Sequence, residues 1–276
     1  MKLLNLQSLY PTIPRSEKQL FLKEILKINA AEFILNPERL LNEKEQELYK
    51  QYCKRRINSE PVAYILGKKE FFGHQFSVTP DVLIPRPETE QIIELLKKAC
   101  TNSKKQIDIL DVGTGSGILA ITSALELQNA TITALDISSK ALTVASKNAE
   151  YHKVADKIKF IESDLLTKLP SSSTFGYILA NLPYIGRNEI NEMAIETQQY
   201  EPELALYSDN EDGMQLYATL FNQIKSKNVK FTNIICEIGY KQASKIQELA
   251  KSTFGLKGFM YNDLANIPRI FSLHQI

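Results

Sequence analysis

The sequence is poor in cysteine, in net charge and in long apolar runs, and each shortage excludes something. Its three cysteines, Cys53, Cys100 and Cys236, are odd in number and widely separated. With no histidine cluster beside them they make neither a disulfide framework nor a zinc site, so they read as reduced thiols and no metal is expected. Thirty-three basic side chains against thirty-two acidic ones leave a formal charge of +1. A field that draws polyanions is therefore missing, which counts against direct nucleic-acid binding. No window approaches the ~18 consecutive apolar residues of a membrane span, and the first residues lack a basic segment followed by an apolar core, so a cytoplasmic address away from membranes is expected. Internal repeats are also lacking, and the short run Ser171-Ser172-Ser173 reads as a surface loop.

What is present is an ordinary globular composition, 43% hydrophobic and 24% charged, over a length of 276 residues that suits one large or two modest domains. The first sixty residues predict a small helical bundle. Ser16 with Gln19 has the spacing of a capping box, Phe21, Ile25 and Ile28 then share a face, and Asn42 with Glu45 repeats the start signal. From Glu60 to Pro87, Gly67 and Gly73 punctuate a stretch holding Phe71, Phe72, Phe76, Val78 and Val82, which predicts a β-hairpin.

From Ile107 onward short apolar runs alternate with helical stretches. Ile107–Val112, Thr131–Ile137, Ile158–Ile161, Tyr177–Ala180 and Asn233–Ile238 are the candidate strands of a parallel sheet. Lys257–Tyr261 and Arg269–His274, with Pro268 between them, predict an antiparallel hairpin that finishes it. The fold class expected is thus α/β, a mostly parallel Rossmann-like sheet with a small helical N-terminal domain.

The run from Ile109 to Gly117 is a strand leading into Gly113-Thr114-Gly115-Ser116-Gly117 and then a helix over Ile118 to Leu127. Glycines there let the backbone turn sharply and come close to a ligand, and the helix start offers unpaired N–H groups. Asp136 ends the next strand, where a carboxylate can accept from both hydroxyls of a ribose. The plain alternative is a structural turn with a helix-capping aspartate. The spacing Gly-x-Gly-x-Gly, with Ile118 following Gly117, favours S-adenosylmethionine over a dinucleotide. Asp111 reaches either the glycine-loop backbone or the cofactor's amino-acid end, or else caps the following helix. Asp164 and Leu165 follow the third strand and either border an adenine ring or only make a turn.

Asn181-Leu182-Pro183-Tyr184 follows the fourth strand on the same edge of the sheet. An amide nitrogen is a poor nucleophile because its lone pair is delocalised into the carbonyl. Two acceptors aimed at its hydrogens, the Asn181 side-chain oxygen and the Leu182 carbonyl, would favour the reacting form. Pro183 holds Leu182 extended, and Tyr184 offers a flat face to a planar group. An ordinary strand-to-loop turn is the alternative.

With these residues in place, the chain resembles the HemK/PrmC family of peptide chain release factor glutamine methyltransferases. The resemblance rests on Glu60-Pro61-Val62-Ala63-Tyr64-Ile65-Leu66-Gly67, Phe71-Phe72-Gly73 and Leu83-Ile84-Pro85-Arg86-Pro87-Glu88-Thr89-Glu90. Asp111 to Gly117, Asp136, Asn148-Ala149, Asp164, Asn181 to Ile185, Glu201-Pro202 with Ala205-Leu206, Asp212-Gly213 and Glu237-Ile238-Gly239 follow in the family's order. It implies a helical substrate-binding domain over 1–68, a β-hairpin connector over 69–87 and an S-adenosylmethionine-dependent methyltransferase domain over 88–276. It further implies that Gly113 to Gly117 cradle the cofactor's methionine portion, Asp136 its ribose and Leu165 its adenine. Asn181 would touch cofactor and substrate, and Tyr184 would line a glutamine pocket. The implied substrate is the glutamine of the Gly-Gly-Gln loop of class 1 release factors. Leu182 stands where the family usually has proline, a form more typical of ribosomal RNA adenine dimethyltransferases, so an adenine-N6 methyltransferase acting on RNA or DNA is the alternative.

Overall fold

The computed structural model describes residues 2–101, 103–186, 193–208 and 210–275. The chain divides into two compact units, one made of residues 1–68 and 194–200, the other of residues 69–193 and 201–276.

The first unit is helical: α1 (Leu3–Ser8), α2 (Arg15–Leu26), α3 (Ala30–Leu35), α4 (Glu43–Ile57) and α5 (Val62–Leu66), joined by a later helix, Ile195–Tyr200. Leu3, Leu6, Phe21, Leu22, Tyr49 and Cys53 are buried together at its centre, and the Tyr49 hydroxyl donates to the Leu6 carbonyl at 3.0 Å. Asn42 caps α4 in a reciprocal pair with Glu45, as the spacing predicts, and Asn29 with Glu32 does the same for α3. Ser16 does not cap α2. Pro14 takes that position, and its carbonyl accepts from the N–H groups of Glu17 and Lys18. The late helix is held by charge: Arg56 pairs with Glu17 through Nε at 2.6 Å and with Glu196 through Nη1 at 2.7 Å.

The stretch from Glu60 is not all hairpin. Val62–Leu66 forms α5 and closes at Gly67 in the left-handed region, and only then do β1 (Lys68–Phe71) and β2 (His74–Ser77) pair. In the second unit follow α6 (Glu90–Cys100), β3 (Ile107–Val112), α7 (Ile118–Glu126), β4 (Ala130–Asp136), α8 (Ser139–Tyr151), β5 (Ile158–Glu162) and β6 (Thr174–Ala180). Beyond the late helix, which is α9, come α10 (Glu203–Leu206), α11 (Gln215–Ser226), β7 (Lys230–Glu237), α12 (Ala243–Phe254), β8 (Phe259–Asn262) and β9 (Pro268–His274).

The seven strands β3 to β9 form one sheet in the order β5-β4-β3-β6-β7-β9-β8, parallel from β5 to β7 and antiparallel at β9 and β8. This is the mixed sheet the strand pattern predicts. Both faces are covered. Leu110, Val112, Ile178, Ala180, Ile234 and Cys236 join one core, whereas Ile109, Leu179 and Ile235, one residue out of phase, join the other. Continuous apolar strands are what a sheet buried on both faces requires. The chain goes from β3 outward through β4 to β5, then returns to the far side of β3 as β6. That reversal opens a crevice at the carboxyl ends of β3 and β6, where open α/β sheets hold their ligands.

Candidate active site

Register brings the predicted residues to that edge. Val112 pairs with both Leu135 and Ala180, so Gly113 and Asn181 leave adjacent strands side by side, with Asp136 ending the next strand over. A cavity of about 350 Å³ opens there. Gly113, Thr114, Gly115, Ser116, Asp136, Leu165, Asn181, Leu182 and Pro183 line it, all within the second unit. Gly117 and Tyr184, predicted with them, do not.

The glycine turn is fixed by its own neighbourhood. The N–H groups of Gly113 and Thr114 both donate to the Leu135 carbonyl, at 2.8 and 2.9 Å, and Gly117 N–H returns to the Thr114 carbonyl. All three glycines have φ between +55° and +85°. Around a Cβ built on Gly115 there is open space, so bare backbone faces the cavity at that point. Gly117 has a different reason to be glycine. A Cβ there would stand 2.8 Å from Ile121 Cδ1 and 3.1 Å from Ala145 Cβ, so it permits the close packing of α7 on α8. Asn148 ties the hairpin to this turn, donating to the carbonyls of Ser77 and Ser116 while accepting from Ser77 N–H.

The two acidic residues differ. Asp111 is fully buried; its Oδ2 accepts from the Thr114 hydroxyl at 2.6 Å and from Ala120 N–H at 3.2 Å. It therefore caps α7, one of the roles its position allowed. Its Oδ1 is buried with no partner among the described residues, and burial pushes its carboxyl up to about 7. Asp136 lines the cavity. Its two oxygens accept one bond each, from Gly115 N–H at 2.8 Å and Ser138 N–H at 2.9 Å, leaving lone pairs for a ligand, and burial raises its carboxyl as well. Leu165 sits at φ +46°, a costly geometry for leucine. The Ser163 hydroxyl, donating to the Leu165 carbonyl at 2.8 Å, helps hold it there. Ile137, half exposed, adds an apolar surface next to Asp136.

The Asn181 loop is braced from far along the chain. Asn181 Nδ2 donates to Thr89 Oγ1 at 3.1 Å and to Glu237 Oε2 at 3.0 Å, while the Tyr184 hydroxyl donates to Glu237 Oε1 at 3.0 Å. Burial raises the Glu237 carboxyl and drives the Tyr184 hydroxyl above its ordinary range. Gln242 bridges the Tyr184 and Asp212 carbonyls. At Gly213 any Cβ would stand 1.9 Å from the Tyr184 carbonyl oxygen. Leucine at 182 adds what proline could not, an N–H that donates to the Tyr217 hydroxyl at 3.3 Å, and its side chain packs against Gly113. Among the described residues no donor reaches the Asn181 side-chain oxygen or the Leu182 carbonyl.

Pro85, Arg86 and Thr89 on one side and Pro202, Leu204 and Ala205 on another complete the walls. They belong to two stretches that carried the resemblance without an assigned role. Glu201 links them, accepting from Ile84 N–H at 2.9 Å and pairing with Arg86. Bare backbone at Gly115, an apolar shelf at Ile137 and Leu165, and a carboxylate with spare lone pairs suit a nucleoside with an amino-acid tail, so the residues fit a ligand of that kind. Among the described residues no cluster of three His, Cys, Asp or Glu side chains is placed to hold a metal, and no helix is long and apolar enough to cross a membrane.

Comparison with known proteins adds findings of three kinds, from family models, relatives and solved structures. A model of the PrmC N-terminal domain matches residues 5–67, and one of ribosomal protein L11 methyltransferase (PrmA) matches residues 86–203. The chain is 35% identical over 257 residues to the release factor glutamine methyltransferase of Koribacter versatilis, covering 93% of this chain and 90% of that one. It is 36% identical over 288 residues to a bifunctional methyltransferase of Rickettsia bellii, covering 95% of this chain and 51% of the other, so it spans about half the length of that relative. Among solved structures, the N-terminal domain of human METTL16 in complex with SAH superposes with a TM-score of 0.53 at 16% identity, covering 99% of this chain and 94% of that one. That likeness shows the fold, a Rossmann-like methyltransferase sheet.

Proposed function

The chain belongs to the release factor glutamine methyltransferase family, and on that premise we propose that it transfers a methyl group from S-adenosylmethionine to the side-chain amide nitrogen, N5, of the glutamine in the Gly-Gly-Gln loop of class 1 peptide chain release factors. The observation that carries this reading is the pair of unclaimed oxygens, Asn181 Oδ1 and Leu182 O, at a cavity bordered by the glycine turn. Bound S-adenosylmethionine supplies a methyl group already activated on a sulfonium, so no strong base is needed. Gly113 to Ser116 would take its methionine portion, Asp136 would accept from the ribose hydroxyls with its spare lone pairs, and Leu165 would pack beside the adenine.

Asn181 and Leu182 would accept hydrogen bonds from the two N–H groups of the substrate amide; as the N–C bond forms and the S–C bond breaks, one of these protons is released to water. Those hydrogen bonds favour the pyramidal nitrogen of the transition state over the planar ground state. Pro183 keeps the Leu182 carbonyl outward, and Tyr184, which stands off the cavity wall with its hydroxyl tied to Glu237, braces the loop. Residues 1–68, with the helix Ile195–Tyr200 that joins their unit, serve as the domain that holds the release factor, residues 69–87 as connector and the remainder of 88–276 as the methyltransferase domain.

Incubation with methyl-labelled S-adenosylmethionine and a purified class 1 release factor tests this, with the modified peptide mapped by mass spectrometry. One label on the loop glutamine is expected. Label on adenine of added RNA or DNA, with the release factor unmodified, would overturn the proposal in favour of the adenine reading.

A further inference from the structure

Glu237 and Thr89 lie 148 residues apart, yet both touch the same amide group. The Thr89 hydroxyl has one proton, and it is directed to Glu237 Oε2 at 2.5 Å, so toward Asn181 it can act only as an acceptor. In its carboxylate form Glu237, which already takes the Tyr184 hydroxyl on its other oxygen, is likewise acceptor only. The end of Asn181 that meets these two must therefore be its NH₂. Rotating the amide by half a turn would set its oxygen against two acceptors and present donors to the cavity. Thr89 and Glu237 are 0% and 2% exposed, so water does not compete for these bonds.

We propose that Glu237 and Thr89 are positioning residues which lock the Asn181 carboxamide with its oxygen toward the substrate side of the cavity. This deepens, and rests on, the reading of Asn181 as an acceptor for the substrate amide. Without the lock, asparagine would present either end, and its NH₂ would repel the hydrogens it is meant to hold. The hydroxyl of Tyr184 is fixed by the same carboxylate, so one buried acid sets the facing of two members of the loop.

The test uses full-length protein labelled with ¹⁵N-asparagine, alone and in turnover, comparing wild type with Glu237→Leu, Glu237→Gln and Thr89→Val. In wild type the Asn181 side-chain N–H protons should show contacts to the Thr89 methyl group and exchange with solvent at least about tenfold more slowly than those of an exposed asparagine. Glu237→Leu should abolish that protection and lower kcat by about 30- to 100-fold with little change in the KM for S-adenosylmethionine, the size of losing one preorganised acceptor. Glu237→Gln should restore most of the loss, because its amide oxygen can still accept from Asn181 while its NH₂ donates to Tyr184. Thr89→Val should fall between the two, and it decides the matter if Glu237→Leu does not fold.

Unprotected Asn181 protons in wild type, or full kcat in a folded Glu237→Leu protein, would overturn the proposal. Protected protons in a wild-type enzyme that methylates no release factor would support the lock and refute the substrate reading.

Discussion

The glycine turn at residues 113–117 and the loop at residues 181–184 border one cavity, yet they draw their rigidity from different distances along the chain. Apart from the Asn148 bond to Ser116, the hydrogen bonds of the turn go to partners no more than about two dozen residues away: Leu135 and Asp136 accept its N–H groups, and Asp111 caps the helix that follows. The loop depends on Thr89, more than ninety residues before it, and on Gly213, Tyr217, Glu237 and Gln242 after it. The turn can be written almost within one stretch of sequence. The loop needs supports from several elements.

The largest effect should come from the loop. Asn181→Ala is expected to lower turnover by about 100-fold or more while S-adenosylmethionine affinity stays within about tenfold, as for loss of one transition-state acceptor. Titration calorimetry and steady-state rates on the same preparation check it, and equal losses in both would erase the contrast between the two walls.

Next come the glycines, which sharpen the contrast within the turn itself. Gly117→Ala faces both a positive φ and a 2.8 Å clash with Ile121, so it should lose about 2–4 kcal/mol of stability in denaturant titration. Gly115→Ala meets open space and should lose only ~1 kcal/mol, but its methyl group enters the cavity, so cofactor affinity should drop about tenfold. If the two variants behaved alike, the division between packing glycine and ligand glycine would be wrong.

The smallest effect is on pH dependence. Asp111 titrates near 7 in the fold, against about 4 in an unfolded chain. Between those values the folded protein holds a proton that the unfolded chain has released, so stability falls as pH rises through this window. Asp111→Asn should flatten the decline in Tm between pH 5 and pH 8 by about 2–5 °C. Asp136 and Glu237, whose carboxyls are also raised, would keep part of the slope. An unchanged slope would mean that the unpartnered oxygen of Asp111 is hydrated.

Much of the sheet was legible because a parallel strand buried on both faces carries apolar residues at successive positions, as Ile109-Leu110 and Ile234-Ile235-Cys236 do. The glycine turn and Asp136 were legible because their spacing is local. The contacts of Glu237 were not, because a glutamate ending an apolar strand has no sequence signature for the bonds it makes to Thr89 and Asn181. Two helical features also escaped. Ser16 had the spacing of a cap, but Pro14 took the position. Ile195–Tyr200 joined the N-terminal unit through an ion pair between Arg56 and Glu196, two residues 140 positions apart that no periodicity connects.

The most direct test of the central claim is a crystal structure of the protein with S-adenosylhomocysteine and a peptide carrying the Gly-Gly-Gln sequence. The glutamine NH₂ should lie within hydrogen-bond distance of both Asn181 Oδ1 and the Leu182 carbonyl, facing the sulfur. A glutamine bound elsewhere, or one whose amide meets neither oxygen, would contradict the account.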